Sequence, residues 1–175
     1  MGLVRLASRA VIGAFDRAAD LDKVLNDLQR LGVRSVDVSI AAKAEVLEAT
    51  GATQRGKGPF AVLGKNANWL SEPLRLDRSG IGALAVAGPL ADVLAVSPNT
   101  SPIGAMVMQG IPQRDALIYN GLLQEGKILV LVGVADRMMG ERVRVVLDRH
   151  GGQSIAYYAG RPYGTAFHGA GPGLS

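Results

Sequence analysis

Residues 11–39 read VIGAFDRAADLDKVLNDLQRLGVRSVDVS, and their spacing decides the fold. Val11 to Phe15 form a short apolar run. Leu21, Val24, Leu25, Leu28 and Leu31 then recur at helical spacing and share one helix face. Gly32 stops that helix by supplying a left-handed residue after its last turn. Val36, Val38 and Ile40 alternate with polar residues, as along a half-buried strand. The stretch therefore reads strand, helix, strand.

Residues 127–158, KILVLVGVADRMMGERVRVVLDRHGGQSIAYY, repeat the pattern. An apolar strand from Ile128 to Val134 precedes a helical stripe of Met139, Val143, Val146 and Leu147. Gly151 ends the helix and Ile155 to Tyr158 read as the closing strand. An offset of 119 residues puts Val11 on Val130, Val24 on Val143, Gly32 on Gly151, Ser35 on Ser154 and Val36 on Ile155. Two βαβ units sharing one sheet predict an α/β (α+β) fold of the ferredoxin-like, split βαβ kind. A small doubly wound sheet is the alternative. The expected organisation is one domain over residues 1–158, with βαβ units at 10–41 and 128–158. The two halves are expected to fold as a single cooperative unit.

Between the units lies a long insert, 42–127, expected to be mostly helical. A short helix over 43–49 closes at Gly51, and a polar Gly-rich loop covers 53–58. Residues 79–96, SGIGALAVAGPLADVLAV, are almost wholly apolar and read as two short helices broken at Gly88-Pro89. Ser101-Pro102 starts a helix that Gly110 ends, since serine caps and proline suits the first turn. Pro112 starts another, which stops at Gly126. Residues 159–175 are too rich in Gly and Pro for a regular element and are read as an irregular tail.

Hydrophobic residues make up 48% of the 175 and charged residues 19%, a globular balance. Only eight are aromatic, so Ala, Val, Leu and Ile must build the core. The chain has no cysteine, which removes disulfides, thiolate nucleophiles and Cys-bearing zinc sites and is compatible with a cytoplasmic location. The net charge of +4 is spread without a basic run, so nucleic acid is an unlikely partner. The N-terminus breaks its apolar run too early for a signal peptide, and Leu6 stands where myristoylation after Gly2 requires Ser or Thr.

The motifs of catalysis are incomplete. Gly51 to Lys57 imitate a phosphate-binding loop, but Gly58 stands where Ser or Thr should hold Mg²⁺, and Pro59 to Val62 read as extended where a helix should start. His150 falls at a helix C-terminus, where a positive charge is favourable, and His168 falls in the tail. Neither belongs to an HExxH or a paired-carboxylate pattern. Asp16 and Asp136 each sit between a strand and a helix and are read as helix caps. Of the two central strands only Phe15 is aromatic, too little for stacking RNA bases. Residues 79–96 would span about 27 Å as one helix, marginal for a bilayer, and Pro89 and Asp92 count further against insertion. No catalytic, metal-binding or cofactor-binding residue and no cofactor is predicted.

Three stretches resemble the bacterial heat-induced or general stress proteins with ferredoxin-like domains. They are VIGAFD at Val11 to Asp16, AVAGPLADVL at Ala85 to Leu94, and GIPQRDALIYNGLLQEGKILVLV at Gly110 to Val132. The resemblance covers about half the chain and is carried by residues of structural type. SPNTSP at 97–102 and the segment 53–78 depart from the family, whose members often have a longer Gly/Ala-rich hairpin there. It implies a ferredoxin-like fold and a stress-associated role, and no catalytic residue. The expectation is a non-enzymatic interaction or scaffold protein that self-assembles into a homo-oligomer, or binds a protein partner, through its insert. Small residues at Gly80, Gly82, Ala83, Ala87 and Gly88 would permit close backbone approach. The alternatives are a small-ligand sensor and, third, a membrane-associated protein.

Overall fold

A computed structural model describes residues 9–48, 66–70, 74–78, 80–96 and 99–159. The strands are β1 (Ala10–Phe15), β2 (Val38–Lys43), β3 (Leu74–Arg78), β4 (Gly82–Ala87), β5 (Ile128–Gly133) and β6 (Gln153–Tyr158). The helices are α1 (Ala18–Arg30), α2 (Ala44–Glu48), α3 (Asn66–Trp69), α4 (Pro89–Val96), α5 (Pro102–Met108), α6 (Gln113–Gln124) and α7 (Arg137–Arg149). All six strands form one sheet in the order β3-β4-β2-β5-β1-β6, every neighbour antiparallel. That arrangement overturns the doubly wound alternative, whose sheet would be mostly parallel.

Both β1 and β2 run antiparallel to β5, so the strands of the first unit are parallel to each other and separated by a strand of the second. In the same way β5 and β6 flank β1. Neither unit contains a strand pair of its own.

The internal repeat holds through the helices and then fails. Adding 119 to the bounds of α1 gives those of α7, and β1 lands one residue from β5. The closing strands differ by four residues. A 3₁₀ turn (Ser35–Asp37) holds Val36 exposed, so Val36 is not the strand residue its alternation suggests, whereas Ile155 lies in β6. Val38 to Ala42 are buried throughout rather than half-buried.

Within the insert, the expectation of two short helices across 79–96 is corrected. Residues 82–87, read as helix, form β4, which pairs with β2 and with β3 and extends the sheet. Only the second half of the apolar stretch is helical, as α4. Gly88 joins the two at φ +87°, and a Cβ there would lie 1.9 Å from the Val38 carbonyl oxygen. Gly88 thus lets the chain turn against the backbone of β2. The Leu90 N–H then donates to the buried Ser39 Oγ at 3.0 Å, so a side chain from the neighbouring strand caps α4. Ser101 caps α5 through its Oγ, with Pro102 in the first turn, as expected.

Helices cover both sheet faces. On one, Leu21, Leu25 and Leu28 of α1 and Val143 and Leu147 of α7 pack on Val11, Phe15, Ile40, Val130 and Val132. On the other, Leu94 of α4, Met106 of α5 and Leu123 of α6 pack on Ile12, Ala41, Val86, Leu129 and Leu131. Strand residues of alternate parity feed the two cores, which is why AVIGAF and ILVLVG are apolar at every position. No helix among the described residues is long and apolar enough to cross a membrane.

Candidate interaction surfaces

The five small residues expected to form an interface divide between two environments. Gly80 and Gly82 lie at the β3–β4 turn, both at positive φ, with open space where a side chain would be. Ala83 is half-buried. Ala87 is buried in the core and Gly88 lies against β2, so the close approach these two permit is to their own chain. Most apolar side chains of this stretch are covered by the sheet and by α5 and α6, while Val96 at its end is exposed.

A pair of exposed apolar side chains in the insert lies on α6. In α6, Ala116, Tyr119 and Leu123 face the core, while Leu117 and Ile118 point outward at 53% and 57% exposure. Gly121, one turn on, has nothing within 4 Å of a built Cβ. The outer side of α6 therefore presents two large apolar side chains beside a notch. Sequence periodicity did not find it, because a helix with apolar residues around most of its circumference does not declare which side is covered.

The acidic residues have structural partners. Asp136 caps α7 by accepting from the Met139 N–H at 2.8 Å, as expected. Asp16 does not cap α1, whose N-cap residue is Arg17. Its carboxylate instead accepts from Lys127 Nζ at 2.5 Å and Gln153 Nε2 at 2.9 Å, joining the ends of β1, β5 and β6. These two hydrogen bonds hold its pKa below the ordinary value. His150 follows α7, and its Nε2 meets Asp27 Oδ2 of α1 at 2.7 Å. That bond is the main reason the Asp27 carboxyl is held low, with Arg30 and Arg149 adding to it. Phe15 is fully buried and offers no ring to a base. The loop Gly51 to Gly58 with Lys57, His168, and the tail from residue 160 lie outside the described residues.

Two tyrosines tie the edge strand β6 to α6. Tyr119 Oη donates to the Ser154 carbonyl at 2.6 Å, and Tyr158 Oη donates to Asp115 Oδ2 at 2.6 Å. Burial and the neighbouring carboxylate push the Tyr158 phenol well above its ordinary value, and the same bond lowers Asp115. Ser154 has φ 52°, where the register between β1 and β6 shifts. The bulge lets β6 resume regular pairing from Ala156.

A groove of about 550 Å³ runs between α1 and α7. Leu31, Val145 and Val146 give it apolar walls, and Arg30, Arg142 and Arg149 surround it with guanidinium groups. Asp27 pairs with two of these arginines. Among the described residues, no group of three or more His, Asp or Glu is arranged to hold a metal ion.

Compared with known proteins, the chain matches no protein-family model, no curated protein and no solved structure.

Proposed function

We propose that this is a non-enzymatic interaction protein that self-associates through the outer face of its insert, built on a ferredoxin-like core. The order β2-β5-β1-β6, with α1 and α7 on one face, supports the core assignment. The observation that carries the interaction is the pair Leu117 and Ile118, both more than half exposed beside the open Gly121. Burying what remains exposed of two such side chains contributes about 1 kcal/mol each, and glycine allows the opposing backbone to come close. The stress-associated part of the reading comes from the sequence resemblance alone.

The test is the double substitution Leu117→Glu and Ile118→Lys, followed by sedimentation velocity at tens of micromolar. A multimer that dissociates while its circular dichroism is retained supports the reading. A wild-type chain that is monomeric across that range overturns it. A second reading, small-ligand binding, rests on the α1–α7 groove. It requires a dose-dependent rise in Tm with an anionic ligand such as inorganic phosphate, abolished by Arg142→Gln.

A further inference from the structure

The two edges of the sheet are chemically unlike. β3, LRLDR, carries Arg75, Asp77 and Arg78, and charged side chains are the usual means of keeping an edge from pairing with another chain. β6, QSIAYY, carries no charge and is rich in residues that favour strands. Its apolar side chains pack on both layers, Ile155 and Tyr157 on the α1–α7 side, Ala156 and Tyr158 on the other. All four nevertheless remain half-buried, whereas the equivalent run in β5 is buried. The exposure belongs to the rim, where among the described residues β6 has β1 on one side and no strand on the other.

We propose that the edge of β6 is a pairing surface for a second copy of this chain, with the two β6 strands antiparallel about a two-fold axis perpendicular to the sheet. An antiparallel edge is self-complementary in its backbone donors and acceptors, and an uncharged strand meets its copy without repulsion. The axis preserves the two faces, so it must pass through a residue paired with itself. Ser154 lies in the bulge and its carbonyl is taken by Tyr119; Ile155 continues the strand beyond it, and Ala156 to Tyr158 hold the regular register with β1.

Placing Ala156 on the axis sets its methyl group against its copy and pairs Ile155 with Tyr157 of the second copy twice. Aromatic with β-branched residues is a favourable cross-strand combination. Placing Tyr157 there would instead set two phenol rings opposite each other and leave Ile155 facing an alanine. The Ala156 register joins the two sheets into one continuous sheet through their β6 strands. This surface is separate from the outer face of α6 and does not depend on it.

The test uses the full chain in two variants, Ala156→Lys and Ala156→Glu. Each alone brings like charges together at the axis and should raise the dimer dissociation constant by about tenfold or more. An equimolar mixture should restore association as a heterodimer, which only folded partners can do. Amide exchange at Ile155 to Tyr158 in the wild type should slow as concentration rises. Variants that dimerise like the wild type, or a mixture that stays monomeric, would overturn the inference. A dimer whose β6 amides exchange independently of concentration would also overturn it while leaving the α6 contact standing. A monomeric full chain whose 1–159 fragment dimerises would overturn it as well, by assigning the edge to the chain's own C-terminal residues.

Discussion

The two βαβ units share a pattern down to the bounds of their helices, yet their closing strands have different fates. β2 lies inside the sheet between β5 and β4, and residues Val38 to Ala42 are buried. β6 ends the sheet, begins with a bulge and stays half exposed. The devices that hold them differ accordingly. Against β2, Gly88 brings the backbone of another segment into contact and Ser39 caps α4. Among the described residues β6 has one strand neighbour, and two phenol hydroxyls reach to and from α6. A repeat in sequence thus sets local structure, while position in the sheet decides how strongly each copy is fixed.

The sharpest break of the comparison is to isolate one unit. Because β1 and β2 touch only through β5, a fragment of residues 1–41 has no strand pairing available and should be unfolded by circular dichroism. A cooperatively melting fragment would refute this. Within the whole chain, Gly88→Ala should cost about 4 kcal/mol by denaturant titration, since the methyl group meets a backbone oxygen and the residue must stay left-handed. Ser39→Ala leaves the Leu90 N–H buried without an acceptor and should cost roughly 1–2 kcal/mol.

On the β6 side, Tyr119→Phe removes the bond to Ser154 and should cost about 1 kcal/mol. Its amide exchange should accelerate in β6 and hardly at all in β2. The smallest effect falls where the units meet. Asp27→Asn weakens the contact with His150 and Arg149 by up to about 1 kcal/mol at neutral pH. Asp27 is depressed in the folded state. Its contribution is therefore present above the unfolded carboxylate value of about 3.9 and is lost as pH falls through the lower folded value. The difference between wild type and Asp27→Asn should shrink in acid, measured as Tm against pH.

Much of this was legible in the sequence, for reasons visible in single residues. Gly32, Gly110, Gly126 and Gly151 end helices at positive φ, a local requirement that needs no tertiary context. The stripes on α1 and α7 named their buried faces correctly. Residues 82–87 depart from the helical expectation because Leu84 to Ala87 are covered on both sides once β4 enters the sheet, and a run buried on both faces has no alternation to show. Asp16 was misread because its partners, Lys127 and Gln153, are more than a hundred residues away. The exposed pair Leu117 and Ile118 was missed for the complementary reason, since only the packed structure shows which apolar residues remain uncovered.

The sequence by itself determined the two strand–helix–strand units, the ends of their helices and the lack of cysteine chemistry. These follow from backbone preference, short-range periodicity and composition. Only the tertiary structure decided that the units interleave, that the insert adds β3 and β4 and covers the second face, and that β6 rather than β2 became an edge. Strand neighbours are chosen by hydrogen bonds and apolar contacts between residues far apart in the chain, and those choices leave no period in the sequence from which to read them.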